Sequence, residues 1–391
     1  MSKKVLVTLV SEQTIPNLLI PLEKGPFDKY IFITTKKVND ENIPNNIIET
    51  IKEMYPGSAS SFIKSEEVNE KSIKDVWNKI DKEIKKIDEK DVEFTFNFTN
   101  GTKQMSIALY SYAKTKYLNS DLLYSNRDSL TYVNYKNDSE EEEKYTKFLT
   151  LSYCLTALGR KLSDKVNGAK RKTPHFNKDL AFKIYDIYTK TRFNNISDFI
   201  KDLRNKKHTV EVPEKYKAPV KDIFGFDLPD KLTERDNKRV YMIGGWLEDY
   251  TYFCLQDTNG QNKSSIEFID EGKEIQEFDV LMVKNNKVYI FECKTAIAYD
   301  KIQNIPYKSS ALVKKFGTEA VSFIVYPHNM KSNTLKILQE RAKLEKIKTI
   351  PANRIKDFEI YLKEQQEKDK ETKNKIENPS LRDTARIIKS K

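Results

Sequence analysis

Residues 278–294 read Phe-Asp-Val-Leu-Met-Val-Lys-Asn-Asn-Lys-Val-Tyr-Ile-Phe-Glu-Cys-Lys, two runs rich in β-formers joined by a polar turn over residues 284–287. That is the pattern of a hairpin. Asp279 lies near the start of the first strand and Glu292 near the end of the second, so antiparallel pairing brings the two carboxylates together. Period-two alternation sets Glu292 and Lys294 on one face and leaves Phe291 and Cys293 on the other. Paired carboxylates offer hard oxygen ligands to one or two divalent cations. A cation held there polarises a phosphate and lowers the pKa of a bound water. A neighbouring ammonium orients or deprotonates that water and offsets the charge developing at phosphorus. Glu248, on a helix expected over residues 236–254, is available to complete the set. The plainer reading is a solvent-facing hairpin with an ordinary Glu292–Lys294 ion pair, because Glu-x-Lys is common. The apolar VYIF strand, the paired Asp279 and the acidic helix ahead favour the chemistry.

The Asp279…Glu292-Cys293-Lys294 arrangement resembles the PD-(D/E)xK centre of restriction-endonuclease-like nucleases, with Glu277-Phe278 in place of the emblematic proline. The proline contributes no metal ligand, so the departure leaves the ligand set intact. Lys308 and Ser309 fall where that superfamily often keeps an auxiliary polar residue. Lys308 either contacts a phosphate or is one more surface lysine, and its type alone does not separate the two.

The elements that must position these groups follow from periodicity. Residues 5–10 (VLVTLV), 30–34, 59–64, 92–98 (VEFTFNF), 118–123 and 130–135 read as strands. Residues 39–55, with Pro44 at the start, 72–87 and 102–112 read as helices, the second with Ile73, Val76, Trp77, Ile80, Ile84 and Ile87 on one face. Alternation of this kind implies an open, largely parallel α/β sheet, which binds ligands beyond the carboxyl ends of its strands where the strand order reverses. Two loops qualify, residues 11–17 after the first strand and 97–105 after the fourth. In the second, Gly101 lets the backbone approach a ligand, Thr102 can cap the next helix, and the helix amides with Lys103 make an anion seat. A capping turn beside a solvated lysine fits those residues equally well.

Residues 138–147 are acidic and polar, reading as a linker or the start of a helix, and 148–162 are apolar at helical spacing. The basic run at 168–172 (GAKRK) reads as a solvated loop. Two helical patterns fill residues 179–205. Gly244 and Gly245 inside the expected 236–254 helix each cost about 1 kcal/mol against alanine, which predicts close packing or a bend. A further helix is expected over 332–348, and beyond residue 362 the charge density predicts a solvent-facing helix or disorder.

With 391 residues the chain exceeds the size at which one core keeps growing, so two principal domains and a bridging segment are expected. Lys and Arg number 69 against 58 Asp and Glu, a formal net charge of +11 that favours polyanionic partners, although solubility alone explains such a balance equally well. Cys154, Cys254 and Cys293 form no short-spaced metal or redox pair, which fits a reducing cytoplasmic setting. No secretory pattern or bilayer-length apolar stretch is present in the sequence.

Four segments, 5–17 (VLVTLVSEQTIPN), 100–105 (NGTKQM), 244–250 (GGWLEDY) and 278–294, together resemble the Card1/Can2 family of CRISPR-associated CARF-domain nucleases. The resemblance implies a Rossmann-like CARF sensor over 1–145, a helical bridging region over 146–225, a restriction-endonuclease-like α/β domain over 226–362 and a charged tail over 363–391. It further implies a homodimer that binds cyclic tetra-adenylate as allosteric activator in type III antiviral defence. The expected activity is cleavage of single-stranded RNA and DNA and nicking of supercoiled duplex DNA, with Mn2+ or Mg2+. Ser11, Glu12, Gln13, Thr14 and Asn17, with Thr99, Asn100, Gly101, Thr102, Lys103 and Met105, are then expected beside the ring. Glu248, Asp279, Glu292, Lys294 and Lys308 are expected to carry catalysis, with Glu248, Asp279, Glu292 and the Cys293 backbone carbonyl on the metal. A two-fold ring suits a two-fold interface, because each protomer offers identical loops to half of it. Thr14 and Lys103 form no evident catalytic pair, so little ring cleavage is expected.

Two other readings compete. A restriction or repair nuclease would cut without any messenger, and a ligand-responsive regulator would bind nucleic acid without cutting it. The latter calls for a recognition helix, which the sequence does not display.

Overall fold

The computed structural model describes residues 2–13, 15–87, 91–126, 130–137, 139–160, 168–172, 176–206, 208–256, 261–270, 273–296 and 320–377. The chain divides into two bodies. The first comprises Met1–His175, Gly260–Ile324 and Lys331–Thr349, and the second Phe176–Asn259, Val325–Met330 and Ile350–Lys391.

The first body opens with β1 (Lys3–Leu9), β2 (Lys29–Ile33), β3 (Ser61–Lys64), β4 (Val92–Asn97), β5 (Asp121–Ser125), β6 (Thr131–Asn134) and β7 (Glu141–Lys144), joined in one sheet of order β3-β2-β1-β4-β5-β6-β7. Neighbours from β3 through β5 run parallel, and β5–β6 and β6–β7 antiparallel. The connecting helices are α1 (Pro16–Lys24), α2 (Lys36–Asp40), α3 (Ile43–Met54), α4 (Ile73–Lys85) and α5 (Lys103–Lys116). Alternation along β1 sorts its side chains between two cores. Leu6 joins Tyr30, Phe32 and residues of α1 and α3, while Val5, Val7 and Leu9 join Val76 and Ile80 of α4 and Leu109 of α5. Burial on both faces explains why β1 reads as a nearly continuous apolar run, as central parallel strands do. Each fully buried aliphatic side chain contributes about 1.5–3 kcal/mol. The Ser72 hydroxyl caps α4 by accepting the Asp75 N–H at 3.2 Å.

Residues 141–144, expected in a linker or a helix, form β7 instead. The ladder with β6 uses only backbone groups, so the EEEK side chains do not oppose it. α6 (Leu151–Ala157) and β8 (Gly168–Lys172) follow. The basic run of β8, expected as a solvated loop, pairs antiparallel with the strand over residues 261–270.

The second body contains α7 (Lys178–Thr191), α8 (Ser197–Asn205), β9 (Val210–Glu211), α9 (Lys217–Phe224), β10 (Lys231–Leu232), α10 (Asn237–Val240) and α11 (Trp246–Gln256). Between α10 and α11 lies a π turn over Tyr241–Gly245, with Gly244 at φ 174 outside helical geometry. The bend expected from the paired glycines is therefore present.

The second sheet, of order β15-β14-β13-β12-β11-β8, adds β11 (Gln261–Asp270), β12 (Lys273–Lys284), β13 (Lys287–Cys293), β14 (Val321–Tyr326) and β15 (Lys348–Pro351). α12 (Ser332–Leu344) and α13 (Phe358–Glu377) complete the described chain. Among the described residues no helix is long and apolar enough to cross a membrane.

Candidate nuclease centre and ligand cleft

The β12–β13 hairpin forms as its sequence predicts. Val280 pairs with Phe291 and Lys284 with Lys287, leaving Asn285 and Asn286 in the turn at φ 50 and 59, the left-handed pair a type I′ turn requires. One step outward from the Val280–Phe291 pair stand Asp279 and Glu292. Asp279 is buried, and its Oδ2 accepts the Cys293 N–H at 2.6 Å. Lys294 Nζ lies 2.5 Å from Glu292 Oε1 and 3.6 Å from Asp279 Oδ2, so both carboxylates face one cation. Burial disfavours the Lys294 charge, but Asp279 and then Glu292 more than offset it and hold the ammonium well above the usual lysine range. Phe291 and Cys293 point into the interior on the other face, as alternation requires.

Two carboxylates converging on one positive charge form an oxygen donor set whose chemistry fits a hard divalent cation. Among the described residues no group of three or more His, Cys, Asp and Glu side chains is arranged to hold a metal. Glu248 is a half-buried residue of α11 in the second body. Trp246 packs edge-on against Phe193 with ring centroids 6.0 Å apart, and Tyr250 stacks on Tyr185 at 4.0 Å. Arg204 grips the Ile243 carbonyl through Nε at 3.2 Å and Nη2 at 3.0 Å. Asp249, buried beside Glu248, accepts the Phe176 N–H at 2.9 Å. Asp249 had no expected role; its adjacency to Glu248 was visible in the sequence, its burial was not. Lys308 lies outside the described residues.

The other expected loops meet in a cleft of about 400 Å³ at the carboxyl ends of β1 and β4, where the sheet order reverses. Ser11, Glu12 and Gln13 line it from the first loop, and Gly101, Thr102 and Met105 from the second. Gly101 has φ +80, and a Cβ there would stand 3.2 Å from Met105 Cβ and Sδ and 3.3 Å from Leu9 Cδ1. Thr102 caps α5 by accepting the Met105 N–H at 3.3 Å and donates to the Glu70 carbonyl at 2.7 Å. Glu12 forms an ion pair with Lys37 at 2.7 Å, which softens the acidic side of the cleft.

Asn17, Thr99 and Asn100 act beneath the loops. Asn17 Oδ1 accepts the Ser11 N–H at 3.2 Å and the Asn100 Nδ2 group at 2.9 Å, and its own Nδ2 donates to the Ser11 and Gln13 carbonyls, both at 2.8 Å. One buried amide thus ties the two loops together. Thr99 Oγ1 donates to Asn97 Oδ1 at 2.6 Å, and Asn97 Nδ2 donates to Thr8 Oγ1 at 3.0 Å, a polar floor linking β4 to β1. Lys103 is exposed at the first turn of α5 and is not among the cleft-lining residues. Thr14 lies outside the described residues. Val10, Thr35, Val38 and Glu70 also line the cleft without having been expected. Val10 directly abuts the expected loop, whereas the other three arrive from segments with no local signature.

Comparison with known proteins decides the family. The Card1 CARF domain matches residues 5–153, and the Card1-like endonuclease domain matches residues 235–377. The chain belongs to the Card1 family. Its N-terminal sheet is a Card1 CARF domain, and the hairpin with Asp279, Glu292 and Lys294 lies in its Card1-like endonuclease domain. No curated protein matches it in sequence. Two solved structures share the fold. Protein VC1899 from Vibrio cholerae has a TM-score of 0.67 at 16% identity, covering 92% of this chain and 97% of its own. Can2 from Sulfobacillus thermosulfidooxidans, in complex with cyclic tetra-adenylate, has a TM-score of 0.65 at 17% identity, covering 92% of this chain and 98% of its own.

Proposed function

We propose that this Card1-family protein is a metal-dependent nuclease of type III CRISPR antiviral defence, switched on by cyclic tetra-adenylate. Its substrates on this reading are single-stranded RNA and DNA, with nicking of supercoiled duplex DNA. The observation that carries the proposal is the Asp279–Lys294–Glu292 cluster at the end of a paired hairpin within an endonuclease domain. The cleft at the sheet's reversal point and the Can2 complex with cyclic tetra-adenylate support the activator.

In this mechanism Asp279 and Glu292 would hold a divalent cation, a role that the family resemblance extends to Glu248 and the Cys293 carbonyl. Bound there, Mn2+ or Mg2+ would supply Lewis-acid chemistry at the phosphate and at the attacking water. Asp279, fixed by the Cys293 N–H, and Glu292, fixed by Lys294, keep their oxygens oriented before substrate arrives. The Lys294 ammonium offsets charge on the non-bridging oxygens as water oxygen bonds to phosphorus and the leaving oxygen departs with a proton. Lys308 is assigned a supporting phosphate contact. In the sensor, Ser11, Glu12, Gln13, Gly101, Thr102 and Met105 are assigned to half of the ring from the cleft, Thr14 and Lys103 join them on the family resemblance alone, and Asn17, Thr99 and Asn100 hold the loops. A second protomer supplies the same set by two-fold symmetry. The ring activates only insofar as it prefers one arrangement of the dimer over another. The domain assignment follows the limits 1–145, 146–225, 226–362 and 363–391.

The test is cleavage of labelled single-stranded RNA, single-stranded DNA and supercoiled plasmid with Mn2+, with and without cyclic tetra-adenylate, beside Glu292→Ala. Activity requiring both the ring and Glu292 supports the reading. Equal activity without the ring removes the activator, and activity retained by Glu292→Ala removes the assigned centre.

A further inference from the structure

The β12–β13 hairpin carries Asp279 and Glu292 at its open end and is anchored at the other by its turn. Asn286 is fully buried, and its Oδ1 accepts the Leu149 N–H at 2.8 Å. Leu149 ends a strap over residues 145–149 that runs without regular structure from β7 to α6. The start of the strap is equally fixed. The hydroxyl of buried Tyr145 is 2.6 Å from Ser125 Oγ, and the Ser125 N–H donates to Thr99 Oγ1 on the second cleft loop at 2.9 Å.

A further tie reaches the first loop. Glu23, in the last turn of α1, accepts the Thr146 N–H at 2.9 Å, the Thr146 hydroxyl at 2.7 Å and the Lys147 N–H at 3.0 Å. α1 begins directly after the first cleft loop, and its Asn17 is the amide that ties both loops. The strap is therefore hydrogen-bonded to the hairpin tip, to β5, whose Ser125 in turn holds Thr99, and to the far end of the helix that begins at the first cleft loop, all within the first body. Packing follows the same route, since Val10, Ile15, Leu149, Phe278 and Val288 share one hydrophobic cluster. A close-packed interior passes a displacement on instead of absorbing it.

We propose that the strap over residues 145–149 transmits the state of the cleft to the nuclease hairpin, with Asn286 as the positioning residue that receives it. The proposal rests on the ring-activated reading above and adds the route of its regulation. An occupied cleft that shifts α1 or the second loop moves the strap, and Asn286 carries that movement into the strands bearing Asp279 and Glu292. Coupling of this kind commonly amounts to about 5- to 150-fold in affinity or activity.

Asn286→Gly tests it in the full chain. Glycine keeps the left-handed φ that the turn requires and removes the side-chain amide that receives the Leu149 N–H. Cleavage of labelled single-stranded RNA with Mn2+ is measured with and without cyclic tetra-adenylate, ring binding is measured separately by calorimetry, and folding is checked by thermal melting. The expected result is unchanged cleavage without the ring and ring affinity within about twofold of wild type, while ring stimulation falls about tenfold. Should Asn286→Gly fail to fold, Glu23→Ala cuts the strap at its other anchor and is expected to lower stimulation equally. Full stimulation of a folded Asn286→Gly or Glu23→Ala protein overturns the relay, as does an equal loss of cleavage with and without the ring. A folded wild-type protein that binds the ring and cuts equally without it sinks the activation reading and the relay together.

Discussion

Replacing Lys294 by methionine removes the one charge that both carboxylates of the hairpin share, with little change in side-chain length. The Lys294, Asp279 and Glu292 side chains are 28%, 12% and 23% exposed, between a surface pair and a fully buried one. Exposed pairs contribute about 0–1 kcal/mol, and removing one partner from a buried pair costs about 3–5 kcal/mol. An intermediate loss of about 1–3 kcal/mol is expected, which in a body of this size lowers Tm by roughly 3–10 °C. The assay is thermal melting in chelator and again with a Mn2+ titration. In chelator the variant melts lower than wild type, because the two carboxylates lose a counter-charge that they share. Mn2+ then stabilises the variant more than wild type, since the added cation replaces one that wild type already carries. Cleavage with the ring present falls at least tenfold. An unchanged Tm in chelator, or equal Mn2+-induced shifts in the two proteins, refutes the claim that lysine and metal answer the same pair of carboxylates.

Three further outcomes follow from the cleft and the core. Gly101→Ala forces a side chain into left-handed backbone, costing about 1–2 kcal/mol, and sets its Cβ 3.2 Å from Met105, so calorimetry should show ring affinity reduced about tenfold. Asn17→Ala leaves the Ser11 N–H and the Asn100 amide without their shared acceptor, and denaturant melts should record a loss of about 1–3 kcal/mol along with weaker ring binding. Burial pushes the Cys154 thiol up to about 12, so iodoacetamide at pH 8 should leave Cys154 unmodified by mass spectrometry until the chain is denatured.

The hairpin and the cleft were legible because their signals are local. A polar turn between two β-rich runs fixes the register that brings Asp279 beside Glu292, and the order of elements around β1 and β4 fixes where the sheet reverses. The edge strands β7 and β8 were not legible. EEEK and GAKRK enter their sheets through backbone hydrogen bonds, so their side chains carry no apolar alternation. Thr35, Val38 and Glu70 reach the cleft through tertiary folding alone. Asn17, which the family resemblance set beside the ring, is buried and makes four hydrogen bonds that brace its loop. A single polar residue type does not reveal which of those two tasks it performs.

The acidic composition of β7 has a consequence for how the protein behaves in a crowded solution. An open sheet ends in a row of unsatisfied amide and carbonyl groups that would accept a strand from any other chain, and β7 closes the CARF sheet on that side. Glu141 and Glu142 are exposed there, so an approaching copy must bring like charges into register before the first backbone bond can form. Glu143 is turned to internal use, 3.4 Å from Lys24. The strand thus completes its own sheet while discouraging another from being added.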